Sequence, residues 1–105
     1  MEAVFNGHVI ARSDKTIVVE NNHYFPPSAI KEEYFKKSEE KSICPWKGEA
    51  SYYDVVVDDK KSEGGAWYYP EPKSKAEPIK DYVAFWRGVE VKEAEHSTSE
   101  SNRKK

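Results

Sequence analysis

The sequence predicts a mainly β domain, an antiparallel sheet structure closed on itself or folded over, with one short helix. Three observations carry that prediction. β-Branched and aromatic residues recur in short runs of period two, Gly, Asn, Asp and Pro punctuate those runs, and only one stretch has helical spacing. At 105 residues the chain has room for a single domain with one modest core. Hydrophobic residues make up 37% and charged residues 34%, so the core draws heavily on the 13% of aromatics. Each buried ring can remove roughly 150–250 Å² from water, so few are needed.

The N-terminal third reads as a β-meander. Residues 3–5 (AVF), 8–12 (HVIAR) and 16–20 (TIVVE) are the runs, joined by Asn6-Gly7 and by Ser13-Asp14-Lys15. Asn-Gly is a strong hairpin signal because both positions tolerate positive φ. In the third run Ile17 and Val19 share one face, and Thr16, Val18 and Glu20 share the other. The prolines of HYFPPS break the sheet, and Ser28 can cap a helix. In residues 28–41 Ile30 and Tyr34 stand four apart with Phe35 beside them, which predicts one short amphipathic helix. Lys36 to Lys41 then reads as a solvated helix end and loop.

Strand signals return at residues 49–57 and 61–69, a second hairpin turning at Asp58-Asp59-Lys60. Gly64-Gly65 in its return strand predicts a bulge or a close backbone approach. Residues 70–78 form a connector with a turn of helix. Residues 82–86 and 89–93 predict a third hairpin through Arg87-Gly88. The β-domain thus spans residues 1–93, and the polar residues 94–105 have the composition of a disordered tail.

A formal charge of −2, with lysines interleaved among acids, makes no field for a polyanion, so no nucleic-acid partner is expected. No apolar run approaches the ~20 residues of a membrane helix, and the first ten residues lack a signal-peptide core. One cysteine cannot form an internal disulfide, which suits a reducing, cytoplasmic setting. No metal and no cofactor are expected, because no ligand spacing, P-loop or dinucleotide fingerprint is present. The oligomeric state stays open between monomer and homodimer.

The candidate chemistry gathers around CPWKGEASYY, residues 44–53. Pro45 biases Cys44 to extended geometry, and Lys47 three residues on could lower its thiol pKa. Cys44 reads either as a nucleophile, needing a base such as His8 or His23, or as a small buried hydrophobe; His96 lies in the tail. Tyr52, Trp67 and Tyr69 project from adjacent strands of the second hairpin, with Trp67 and Tyr69 on one face. Such rings suit a ligand pocket or the core of a small β-domain. Tyr53, Tyr68 and Trp86 fit packing or surface roles. Glu20, if it faces inward near Lys47, would form a mutually stabilising pair; facing outward, it is an ordinary surface acid.

The run Cys44-Pro45-x-Lys47-Gly48-x-Ala50-x-Tyr52, followed by Ala66-Trp67-x-Tyr69-Pro70-x-Pro72, resembles a family of small bacterial and fungal proteins, domain-of-unknown-function family 427 (DUF427). Ser13, Glu20, Tyr24-Phe25-Pro26 and Tyr82-Val83-Ala84-Phe85 extend the resemblance across residues 8–91. It implies a compact, tent-like domain of two antiparallel sheets meeting along one edge. Similar folds bind zinc or small ligands between their sheets, and without paired cysteines only the small-ligand idea carries over here. The family's loose nucleotidyltransferase label implies a Gly-Ser turn followed by paired acids for magnesium, and no such set stands in this chain. The chain also departs from the family where an Asp-Val pair usually follows Tyr-Phe-Pro, reading Pro27-Ser28-Ala29 instead.

The leading expectation is therefore a small-molecule-binding domain. Its pocket would be walled by Tyr24, Tyr52, Trp67 and Tyr69, with Glu20, Cys44 and Lys47 as the polar floor. The alternatives are a thiol- or lysine-dependent enzyme using Cys44 or Lys47, and a protein-interaction module acting through a sheet edge or the charged helix.

Overall fold

Asn6 and Gly7 adopt φ of 51° and 78°, the left-handed pair that a two-residue hairpin needs. The turn joins β1 (Glu2–Phe5) to β2 (His8–Arg12), the first of nine strands in the computed structural model, which describes residues 1–94. The others are β3 (Ile17–Val19), β4 (Asn22–Tyr24), β5 (Phe35–Cys44), β6 (Gly48–Val57), β7 (Lys60–Tyr68), β8 (Val83–Phe85) and β9 (Glu90–Lys92). All ladders are antiparallel, in the orders β2-β1-β9, β3-β4 and β5-β6-β7-β8. The mainly β, antiparallel expectation holds, with three sheets where the family resemblance implied two. The second hairpin also forms as expected, and three residues of β7 around Gly64-Gly65 bulge opposite Asp54. Asp54 Oδ1 accepts the freed Gly64 N–H at 2.8 Å.

Four expectations are corrected, each because an edge was already taken or still free. The helix over 28–41 does not form. Two 3₁₀ turns, Pro27–Ala29 and Glu32–Tyr34, replace its start, and Ser28 caps neither of them. Residues 35–44 form β5 because β6 offers a full row of backbone donors and acceptors that a helix would leave unpaired. The meander stops at β2, whose outer edge is closed by Ile30 pairing with Ala11 and by Lys31 N–H donating to the Ile10 carbonyl at 2.9 Å. β3 therefore pairs instead with β4, a strand where the sequence predicted a break. Likewise β8 has β7 on one side and Phe25 on the other, so β9 crosses to the free edge of β1 rather than closing a third hairpin. The expected turn of helix in the connector is a 3₁₀ segment, Ser74–Ile79. Ala94, read as the first residue of the tail, is buried, and residues 95–105 lie outside the described residues.

Successive residues of one strand divide the interior. Phe25 and Val83 exchange backbone hydrogen bonds at 2.8 Å, so the end of β4 extends the four-stranded sheet past β8. Alternation then sends Phe25 to one face and Tyr24 to the other. On the Phe25 side Ile10, Val55, Val57, Ala66, Val83 and Phe85 join the β1–β2 hairpin in a core of aliphatic and Phe side chains. On the Tyr24 side Ala50, Tyr52, Tyr69 and Ala84 pack with Ala76 and Ile79 of the connector, and Ile17 and Val19 of the β3–β4 hairpin pack against them.

Candidate functional site

The turn between β5 and β6 sets the position of Lys47. Cys44 pairs with Gly48 across it, and Gly48 takes φ of 115°, a value that L side chains rarely adopt. A Cβ at Gly48 would also meet the Glu71 carbonyl oxygen at 3.3 Å and the Lys73 nitrogen at 3.4 Å. The connector is that close because Lys73 N–H donates to the Lys47 carbonyl at 2.9 Å and Lys73 Nζ to the Pro45 carbonyl at 2.7 Å. The turn is thus clamped from outside, and the Lys47 side chain is directed inward. Lys47 is only 6% exposed.

Its ammonium donates to Glu20 Oε1. Glu20 and Asn21 form the two-residue tip of the β3–β4 hairpin with φ of 53° and 69°. Trp46 Nε1 donates to the other carboxylate oxygen at 3.4 Å, so each oxygen of Glu20 has its own donor. The Lys47 Nζ also lies 5.3 Å from the Trp46 ring centroid and 5.7 Å from that of Tyr69, within cation–π range.

The charges answer this geometry. Burial works to lower the Lys47 pKa, but the Glu20 hydrogen bond, the Tyr24 and Tyr69 phenols and the Glu20 charge outweigh it, and the net shift is upward. The hydrogen bonds from Lys47 and then Trp46 hold the Glu20 carboxyl below its ordinary range. Burial pushes the Tyr69 phenol up to about 12 against the pull of the Lys47 charge, so it stays protonated. Lys47 is thus a held cation, poorly suited to act as an amine nucleophile.

The seven residues singled out from the sequence meet in one continuous assembly. Tyr24, Tyr52 and Tyr69 are buried in the second core, Trp67 and Cys44 pack against it, and Lys47 and Glu20 close its end. The three tyrosines fill their space against one another and the connector. The half-buried Trp67 donates through Nε1 to Tyr24 OH at 3.2 Å, and Tyr52 OH shares a 2.8 Å hydrogen bond with Ser42 Oγ. His8 meets the Tyr34 ring edge-on and His23 pairs with Thr16 at 2.9 Å. Among the described residues no three His, Cys, Asp or Glu side chains gather to hold a metal. No helix among them is long and apolar enough to cross a membrane.

Two features escaped the sequence reading. Trp46 supplies a donor and a ring to the Glu20–Lys47 pair, and its place beside Lys47 was the available signal. A groove of about 330 Å³ lined by Ile30, Glu32, Phe35, Lys37 and Tyr53 opens elsewhere, on residues whose helical reading hid it.

The model of the family described as domain of unknown function (DUF427) matches residues 1–97. The chain belongs to this family. The match takes in both sheet faces and every member of the DUF427 candidate site described above. No curated protein matches the chain.

Proposed function

We propose that this DUF427 domain binds a small molecule at the Lys47 end of its second core. One observation carries the reading: a lysine ammonium is buried among aromatic rings, and a single side chain from a hairpin tip closes it off. Burying an ammonium costs several kcal/mol unless it is paired, so a site that keeps one has a use for the charge. Trp46 at the opening and Trp67 on the flank supply ring area for a ligand body and report its arrival.

The test is tryptophan fluorescence of the wild type and of Lys47→Met against a library of metabolites. A saturable change in the wild type that Lys47→Met abolishes is the expected result. A library with no effect, or equal binding by both proteins, overturns the reading.

A thiol-based reaction is the second reading, supported by the half-buried Cys44 packed against the same rings. Rapid alkylation of Cys44 at neutral pH, blocked by a ligand found in the screen, would favour it. Reaction only after denaturation would remove it.

A further inference from the structure

We infer that Glu20 is a built-in stand-in for the ligand, and that the ligand is an organic carboxylate which displaces it from Lys47 and Trp46. The inference rests on the small-molecule reading above and names the class of molecule for that same site.

The site offers an incoming group two converging donors. Lys47 and Trp46 present one N–H donor to each oxygen of a single carboxylate, through Oε1 and Oε2 of Glu20. One cation and one neutral indole donor match a group with two oxygens and a single negative charge. A phosphate, with more oxygens and more charge, would leave acceptors unmet. The ring faces of Trp46 and Tyr69 also lie beside the ammonium, and they attract a cation but cannot neutralise it. Whatever replaces Glu20 must therefore bring a negative charge of its own, because a buried ammonium stripped of its counter-ion is costly.

The two halves of the pair are unequally held. The Lys47 side chain is 7% exposed and that of Glu20 is 56% exposed. If the pair opens, Glu20 returns to water while Lys47 stays in place between the rings. The tip that carries Glu20 belongs to a two-stranded sheet of three pairs, joined by backbone pairing to the larger sheet only through Phe25 at its far end and held on the second core by Ile17, Val19 and Tyr24. Glu20 can therefore swing out without breaking a ladder of either larger sheet. The partly exposed ring of Trp46 beside the vacated carboxylate position favours a ligand with a planar body next to its acid group.

The experiment measures binding of benzoate, and of its neutral analogue benzamide, to wild type, Glu20→Ala and the double variant Glu20→Ala/Lys47→Met by calorimetry. Glu20→Ala should bind benzoate at least about tenfold more tightly than wild type, since the internal competitor is gone. Benzamide should bind no variant, and the double variant should lose benzoate. If Glu20→Ala does not fold, Glu20→Gln keeps the shape without the charge and should show the same tightening. Benzoate binding no tighter in the Glu20 variant than in wild type overturns the inference, as does benzamide binding equally well. If the metabolite screen yields a neutral or cationic ligand that needs Lys47, the pocket reading survives and this inference fails. If nothing binds either wild type or the Glu20 variant, both fail.

Discussion

The two faces of the four-stranded sheet bury side chains of opposite character. Around Phe25 the fully buried cluster holds Ala, Ile, Val and Phe, with Tyr34, Tyr53 and Tyr68 packed against it only from its partly exposed margin. Around Tyr24 three tyrosines dominate, and their neighbours are a tryptophan, a cysteine and the buried Lys47. Several polar groups on that second face come with a partner: Ser42 for Tyr52, Tyr24 for Trp67, Glu20 for Lys47. No buried side-chain N or O among the described residues lacks a hydrogen bond. Stability alone does not call for such pairs, because apolar side chains of similar volume often do as well. The buried cluster around Phe25 is thus the more apolar of the two, while the Tyr24 face holds several polar groups in hydrogen-bonded positions.

The strongest way to break this contrast is to remove volume from the first face. Phe25→Ala should destabilise the protein by about 3–5 kcal/mol, the usual cost of deleting a buried ring, seen as a lower urea midpoint. A loss below about 1 kcal/mol would mean that this face is not the main support. On the second face a single oxygen is the sharper probe. Tyr24→Phe keeps the edge-to-face ring contact with Trp67, 6.2 Å between centroids, and removes only the acceptor of its indole N–H. The expected cost is about 1 kcal/mol, at the low end because Trp67 is half-exposed and water can serve in place of the phenol. Trp67 emission should shift to the red; unchanged emission and stability would deny the hydrogen bond a role.

The smallest effect is electrostatic, and its sign follows from the two shifts. Glu20 has a folded pKa below its unfolded value, so the contribution of the pair is whole above the ordinary carboxylate range and is lost as pH falls through the depressed value. Lys47 has a folded pKa above its unfolded value, so that contribution is present below the ordinary lysine range and is lost as pH rises through the raised value. The gap in urea midpoint between wild type and Lys47→Met should stay flat across neutral pH and narrow only toward both extremes. Narrowing that is complete above about pH 4.3, the unperturbed glutamate value, would contradict the pairing.

How much of this was legible beforehand depends on the range over which each signal acts. The β1–β2 turn and the β6–β7 hairpin were readable because Asn6-Gly7 and Asp58-Asp59 set local backbone conformations that neighbours need not confirm. β5 was not readable. As an edge strand it buries almost nothing, so FKKSEEKSIC carries no period of two, and its pairing with β6 alone makes it a strand. The faces of Tyr52, Trp67 and Tyr69 were legible from alternation within a hairpin, whereas the orientation of Glu20 was not.

Within a strand the sequence by itself determined which side chains stand together, because alternation is a property of the backbone. That sufficed to put Trp67 and Tyr69 on one face. Only the tertiary structure decided which edges met. β9 went to β1 and β3 to β4 because the nearer edges were occupied. The same competition brought Glu20 onto Lys47, 27 residues away along the chain. The fixed turn over Gly48 points the ammonium inward, and once buried it requires a counter-ion, which the β3–β4 tip provides through Glu20.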